Sequence, residues 1–225
     1  MRLAHDALLV AGKDLRIELR SRVALQQILP FGAIVLVLFA FALDPDRGVL
    51  PRVAPGLFWT AVLLAALLSV NRAFALEEAN AARDGLRLTG LDGAAVFLGK
   101  AAAVAVQLVV LEVVLGVGIV VLYDVSIRGV GLIVCAAVAA TAGLAATGTV
   151  YGVLASGLRA RETLVPLLVL PAVAPVMIGG TRAFEAALDG APADGWPWVQ
   201  LLTAFAVLAV VAGTLAFGPL LEEDA

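Results

Sequence analysis

Few side chains in this sequence could do chemistry, and their spacing narrows the field further. Glu112 is the one acid near the middle of a long apolar run, with Gln107 five residues before it. Holding a carboxyl group in hydrocarbon is costly, so Glu112 must face other helices or a wet cavity. There it acts either along a ligand pathway or as a hydrogen-bonded contact between helices. No second ionisable group stands at similar depth, so no relay of titrating side chains is expected. The only histidine, His5, has no sequence neighbour that would orient it as a general base or an axial ligand. Cys135 stands alone in an apolar run, which excludes an intrachain disulfide and reads as a small buried hydrophobe. There is no G-x-x-x-x-G-K-[ST] phosphate cradle, no C-x-x-C, no pair of histidines and no nucleophile elbow. No catalysis, directly bound cofactor or metal is expected of this chain, and any nucleotide hydrolysis it depends on belongs to another polypeptide.

Two charged segments could make contacts instead. From Glu77 to Arg87, helical placement puts Ala79, Ala82 and Leu86 on one face, with Glu77, Asn80, Arg83, Asp84 and Arg87 on the other. The stretch is too polar to insert, and it suits docking on a partner through its polar face or lying solvated on the membrane surface. Glu77, Arg83, Asp84 and Arg87 are the candidate contact residues. Near the N-terminus, Leu8, Leu15 and Leu19 share one arc of a helix and Lys13, Arg16 and Arg20 a neighbouring arc. Such a helix can lie at the interface, with leucines at the acyl boundary and cations among anionic lipid headgroups.

The elements that carry these groups must be membrane helices. Of 225 residues, 62% are apolar and 15% charged, and the mean hydropathy is +1.05, against roughly 45–50% apolar for ordinary soluble domains. Six apolar stretches are long enough to span, approximately Leu25–Leu43, Ala54–Val70, Val96–Leu122, Gly129–Leu154, Leu164–Thr181 and Val199–Phe217. Continuous runs of this kind fit helices and not the alternating strands of a barrel. The expected fold is an all-α polytopic bundle of six transmembrane helices. Ala40-Phe41-Ala42 has the form of a signal-peptidase site, but the preceding run is too long and its flank too acidic, so a retained span is expected. Eleven Lys and Arg fall on the side of the N-terminus and four on the opposite side, which places both termini in the cytoplasm. The net charge of -3 is too small to argue for or against a nucleic-acid partner, and none is expected.

Packing signals complete the reading. Ala139, Gly143, Thr147, Gly148 and Gly152 give the fourth span a face for close helix approach. Pro166, Pro171 and Pro175 kink or break the fifth, which suits a mobile span. Trp59, Trp196 and Trp198 stand near outer helix ends, as interfacial anchors do. The stretch from Arg182 to Trp196 is the longest and most charged outer loop expected.

Several of these stretches resemble the CcmB family, the permease-like subunit of an ABC complex for cytochrome c maturation. They are Arg52-Val-Ala-Pro-Gly-Leu-Phe-Trp59, Asn71-Arg72-Ala73-Phe74, Asp84-Gly85-Leu86, Leu98-Gly99-Lys100, and Leu168-Val-Leu-Pro171 through Pro175. Their order and spacing run over essentially the whole chain. Two departures stand out: Asn71 to Phe74 replaces a Glu-Arg-Phe-like ending, and Glu112 has no place in the family pattern. The resemblance implies a single ABC-2-type transmembrane domain over 1–225, with residues 1–24 interfacial and 25–220 the bundle, in a bacterial inner membrane. It further implies an ATP-binding cassette subunit dimer that binds the ATP, a second haem-handling membrane subunit, and a periplasmic haem chaperone, with haem as the substrate of the complex. ATP-driven closure would push on the Glu77–Arg87 coupling helix and so reach the kinked fifth span. Trp196-Pro197-Trp198 lacks the flanks of a tryptophan-rich haem signature, so haem ligation is assigned to the partner. An ABC-2-type exporter of another substrate shares this layout but would leave c-type cytochromes unaffected; a membrane assembly scaffold would bind no ATPase.

Overall fold

The computed structural model describes residues 2–21, 24–43, 48–79, 91–155 and 161–223. Every regular element among them is helical: α1 (Arg2–Ser21), a π-helical turn (Ala24–Ile28), α2 (Leu29–Ala42), α3 (Leu50–Ala79), α4 (Gly93–Tyr123), α5 (Val130–Ala155), α6 (Arg161–Ala172), α7 (Ala174–Leu188) and α8 (Pro192–Glu223). Four of them, α3, α4, α5 and α8, are long and apolar enough to cross a membrane. A fifth crossing is made if α6 and α7 are taken as one bent span, while the apolar stretch Gln26–Ala42 is shorter.

The helix ends are set locally. Asp92 accepts a hydrogen bond from the Ala94 amide at 2.9 Å, satisfying one of the unpaired donors of the first turn of α4. Asp124 ends that helix with φ of 50°, a left-handed cap that a short polar side chain tolerates. The end of the bundle carrying Gly93, Arg72 and α1 is called its base below, and the end carrying Leu50, Tyr123 and Val130 its top.

Small residues let the long helices close on each other. A Cβ on Gly148 of α5 would lie 2.6 Å from Val70 Cγ2 of α3, and one on Gly143 would lie 2.8 Å from Phe205 Cδ1 of α8. Tyr123 is buried and donates its hydroxyl to the Leu36 carbonyl at 2.9 Å, tying the top of α4 to α2.

At the base, α1 has a third arc besides its leucines and cations. Val10 and Ala11 are buried, and a Cβ on Gly99 of α4 would lie 2.6 Å from the Ala7 carbonyl oxygen. Lys100 Nζ stands 3.6 Å from Asp14 Oδ2, and Arg72 Nε of α3 stands 3.7 Å from Glu18 Oε2. Contact advances along both helices together, from Val10 beside Gly99 to Leu15 and Leu19 sharing a cleft with Val106 and Val110. α1 is thus docked along α4, and its other two arcs leave Leu8, Leu19, Arg16 and Arg20 exposed.

Three expectations are corrected. Trp59 is no interfacial anchor: it is fully buried, packed against Phe58 and Phe184 with ring centroids 5.4 and 5.2 Å away. Gly180 of α7 leaves the room for its indole. Cys135 is exposed and not buried, because it shares the outward strip of α5 with Val134 and Val138. The stretch from Arg182 to Trp196 is no long loop. There α7 continues to Leu188 because Ala183, Phe184 and Ala187 face the core, and a tight turn at Asp189–Gly190 leads into α8.

A Cβ on Gly180 would lie 2.6 Å from Trp59 Cε2, whereas one on Gly131 meets nothing within 4 Å. Gly180→Val is therefore expected to destabilise the solubilised protein by about 1–3 kcal/mol through overpacking. Gly131→Val should change little, and parallel thermal unfolding in one detergent checks the contrast.

Candidate functional site

The bent span comes directly from its prolines. Pro175 has no amide to offer the carbonyl of Pro171, and its ring crowds that carbonyl. The helix breaks at the fully buried Val173, and its axis turns by 52° between α6 and α7. Pro171 and Pro175 flank the break, while Pro166 lies inside α6. Main-chain bonding bridges the gap, since the Val173 amide donates to Val169 and its carbonyl accepts from Met177. Two helical pieces are thus joined by a short buried hinge.

Above the hinge, the top half of the bundle opens into a cleft of about 310 Å³. Its walls come from the start of α3 (Pro55, Phe58), the upper half of α4, the start of α5 (Val134, Val138) and the end of α7 (Phe184). Phe58 and Phe184 stack with ring centroids 5.0 Å apart, an offset face that closes the inner side. Val113, Val117, Val134 and Val138 line the rim and are exposed, so the cleft opens sideways, towards where lipid would lie.

Glu112 is the one ionisable side chain lining this cleft. It is 7% exposed and accepts a hydrogen bond from Thr141 Oγ1 of α5 at 2.5 Å. The two readings left open for this residue meet in one place, because the same carboxyl group bridges two helices and stands at the cleft wall. An apolar cleft with a single carboxyl group suits an apolar molecule carrying one hydrogen-bond donor or cationic end. Its lining includes no His, Met, Cys or Tyr, and so no side chain of the types that serve as axial haem ligands. Among the described residues no cluster of three or more His, Cys, Asp or Glu could hold a metal ion.

Exchanging Glu112 for Gln keeps an acceptor for Thr141 and should leave stability closer to wild type than removal of the acceptor does. Glu112→Leu strands the buried hydroxyl and should cost about 1–3 kcal/mol. Thermal unfolding of both variants distinguishes them.

The other charged candidates are less fully placed. Glu77 belongs to the last turns of α3, which runs on to Ala79. Arg83, Asp84 and Arg87 lie outside the described residues. What reading the sequence missed is the base clamp: Lys100 and Arg72 count there as loop cations, yet both are drawn onto the acids of α1. The signal was available in Asp14 and Glu18, spaced four apart on the arc opposite the cations.

Comparison with known proteins agrees with this architecture. The model of the family described as CcmB protein matches residues 5–223. The chain is 32% identical over 209 residues to Heme exporter protein B of Bradyrhizobium diazoefficiens, covering 91% of each chain. It is 30% identical over 210 residues to Heme exporter protein B of Pseudomonas aeruginosa, covering 91% of this chain and 94% of the relative. For Heme exporter protein B of Escherichia coli the identity is 30% over 207 residues, covering 92% and 90%. With one family model spanning the chain from the first turn of α1 to the end of α8, and helices able to cross a membrane between them, this multi-pass protein belongs to the CcmB family.

Proposed function

We propose that this chain is the membrane permease subunit of a bacterial haem export system that serves c-type cytochrome biogenesis. The observation that carries the proposal is the unbroken family match over residues 5–223, shared with relatives named for haem export. In this reading the bundle makes six crossings of the inner membrane, the first formed by Gln26–Ala42. The excess of cations at the base supports a cytoplasmic location for that end and for both termini. Residues 1–225 act as one ABC-2-type unit, with no catalysis or bound cofactor of their own. A separate ATP-binding subunit dimer hydrolyses ATP, a second membrane subunit ligates haem, and a periplasmic chaperone receives it.

The geometry supports a route for the coupling. α3 joins the Glu77–Arg87 segment to the core, is clamped to α1 through Arg72 and Glu18, and carries Phe58 and Trp59 near its other end. Trp59 seats on Gly180 of α7, above the hinge at Val173. A push from closing ATP-binding subunits would travel along this rigid helix and move Phe58 and Phe184, reshaping the top cleft. Such a bundle has two arrangements that ATP could bias.

Mild-detergent affinity purification from the native membrane tests this assignment. Recovery of an ATP-binding subunit together with a haem-handling membrane protein and haem absorbance is expected. An ATPase recovered without haem proteins would replace this reading with an exporter of another substrate, and recovery of neither would favour an assembly scaffold.

A further inference from the structure

The acid at the wall of the top cleft has an oxygen that the bundle does not use. Thr141 donates to Glu112 Oε1, while the described residues offer Oε2 no hydrogen-bond partner, and the side chain lines the cleft. Ser69 Oγ, by contrast, is sealed without a partner, whereas Oε2 is not among the sealed atoms and keeps access to the space beside it. A nearly buried acceptor that lacks a donor is costly and calls for one from outside the chain.

Depth decides which donor fits. Glu112 stands eleven residues before Tyr123, the last residue of α4, and so lies roughly 16 Å below the top of that helix at about 1.5 Å per residue. That is near the middle of a hydrocarbon layer about 30 Å thick. A phospholipid keeps its headgroup at the interface and brings only acyl chain to this level, which leaves the carboxyl group unmatched. A small hydrated cation would have to shed its water in an otherwise apolar cleft. An anion would meet a like charge. A lipid-soluble molecule with a basic nitrogen avoids all three costs. An ammonium on a carboxylate and an amine that takes the proton of a carboxylic acid give the same bound pair, so the match does not depend on which partner carried the proton. Such a charge-assisted bond is about twice as strong as one between neutral groups, which favours an amine over an alcohol or an amide.

We propose that the top cleft is a binding site for one lipophilic amine, drawn sideways from the bilayer and held by its nitrogen on Glu112. The entrance lies between Val113 and Val117 of α4 and Val134 and Val138 of α5, all exposed. The apolar body of the ligand rests against the inner wall made by Phe58 and Phe184. The cleft volume of about 310 Å³ lies at the small end of the roughly 300–1,000 Å³ of small-molecule sites. The proposal stands on these side chains and not on haem export.

Equilibrium dialysis of the full chain in phosphatidylcholine nanodiscs tests it, with tritiated diphenylpropylamine as the probe and uptake by empty nanodiscs subtracted. The comparison probe is diphenylbutane, in which a methyl group replaces the amino group. Saturable binding of one amine per chain is expected, at least about tenfold tighter than the hydrocarbon. Glu112→Gln, which keeps an acceptor for Thr141, should remove that preference and leave hydrocarbon binding as it was. Val138→Trp, a lipid-facing change at the rim, should fill the entrance and lose both probes. Uptake no greater than that of empty nanodiscs, equal affinity for the two probes, or amine binding unchanged in either variant would overturn the proposal.

Discussion

Lys100→Glu is expected to release α1 from α4 and to destabilise the solubilised protein by about 3–5 kcal/mol, the cost of breaking a buried ion pair. The lysine is 4% exposed and reaches Asp14 at 3.6 Å. An acid in its place would put a second carboxylate in a buried position beside Asp14, whose other oxygen is held by Lys13 at 3.0 Å. Gly99 next to it permits the close approach of Ala7 and Val10, so once Lys100→Glu and Asp14 repel, only the Arg72–Glu18 pair farther along α1 is left to hold this contact. Maleimide labelling of Val10→Cys provides the local readout. With the exposed Cys135 replaced by Ala in every background, the thiol should be protected in the otherwise native chain and labelled when Lys100→Glu is added. Exchanging the pair, with Asp14→Lys and Lys100→Asp together, should restore protection. Labelling that is equal in all three backgrounds would show that the clamp does not hold α1.

The second large effect concerns the polar face of the Glu77–Arg87 segment. Reversing Arg83 and Arg87 to Glu together should lower recovery of an ATP-binding subunit by about tenfold or more, since like-charge juxtaposition at an interface costs several kcal/mol. The bundle should keep its melting temperature, because neither residue belongs to the span of α3 that crosses the membrane, Leu50–Arg72. Quantitative pull-down alongside a thermal scan separates loss of association from loss of fold. Unchanged recovery would remove these residues from the coupling contact.

Much of the architecture was legible because hydrophobic length is a strong signal. The expected spans Ala54–Val70, Val96–Leu122 and Val199–Phe217 each fall inside a helix long enough to cross, and Gly129–Leu154 starts one residue before such a helix, although α3 and α8 run well beyond the expected ends. Proline chemistry marked the fifth span as kinked somewhere among Pro166, Pro171 and Pro175, and the break falls between the last two, because a missing amide acts locally. Hydropathy was blind to which helices meet. Trp59 is amphipathic by type and near a helix end by position, and only the glycine at position 180 of a distant helix makes a core pocket for it. Glu112 could be recognised as needing a partner, but Thr141 sits 29 residues later on another helix, among many small residues of equal appearance. The base clamp was missed for a related reason. Counting Lys and Arg by loop gives orientation, yet it does not register that Lys100 lies two turns inside α4 and faces the acids of α1.

The account's central claim is that this chain serves haem export for c-type cytochromes, and haem-stain quantification of covalently haemylated cytochromes in the native host tests it most directly. Deleting the chain should abolish the stained c-type bands while b-type haem absorbance persists, and restoring the wild-type chain should return them. Full haem staining of c-type cytochromes in the deleted strain would contradict the claim.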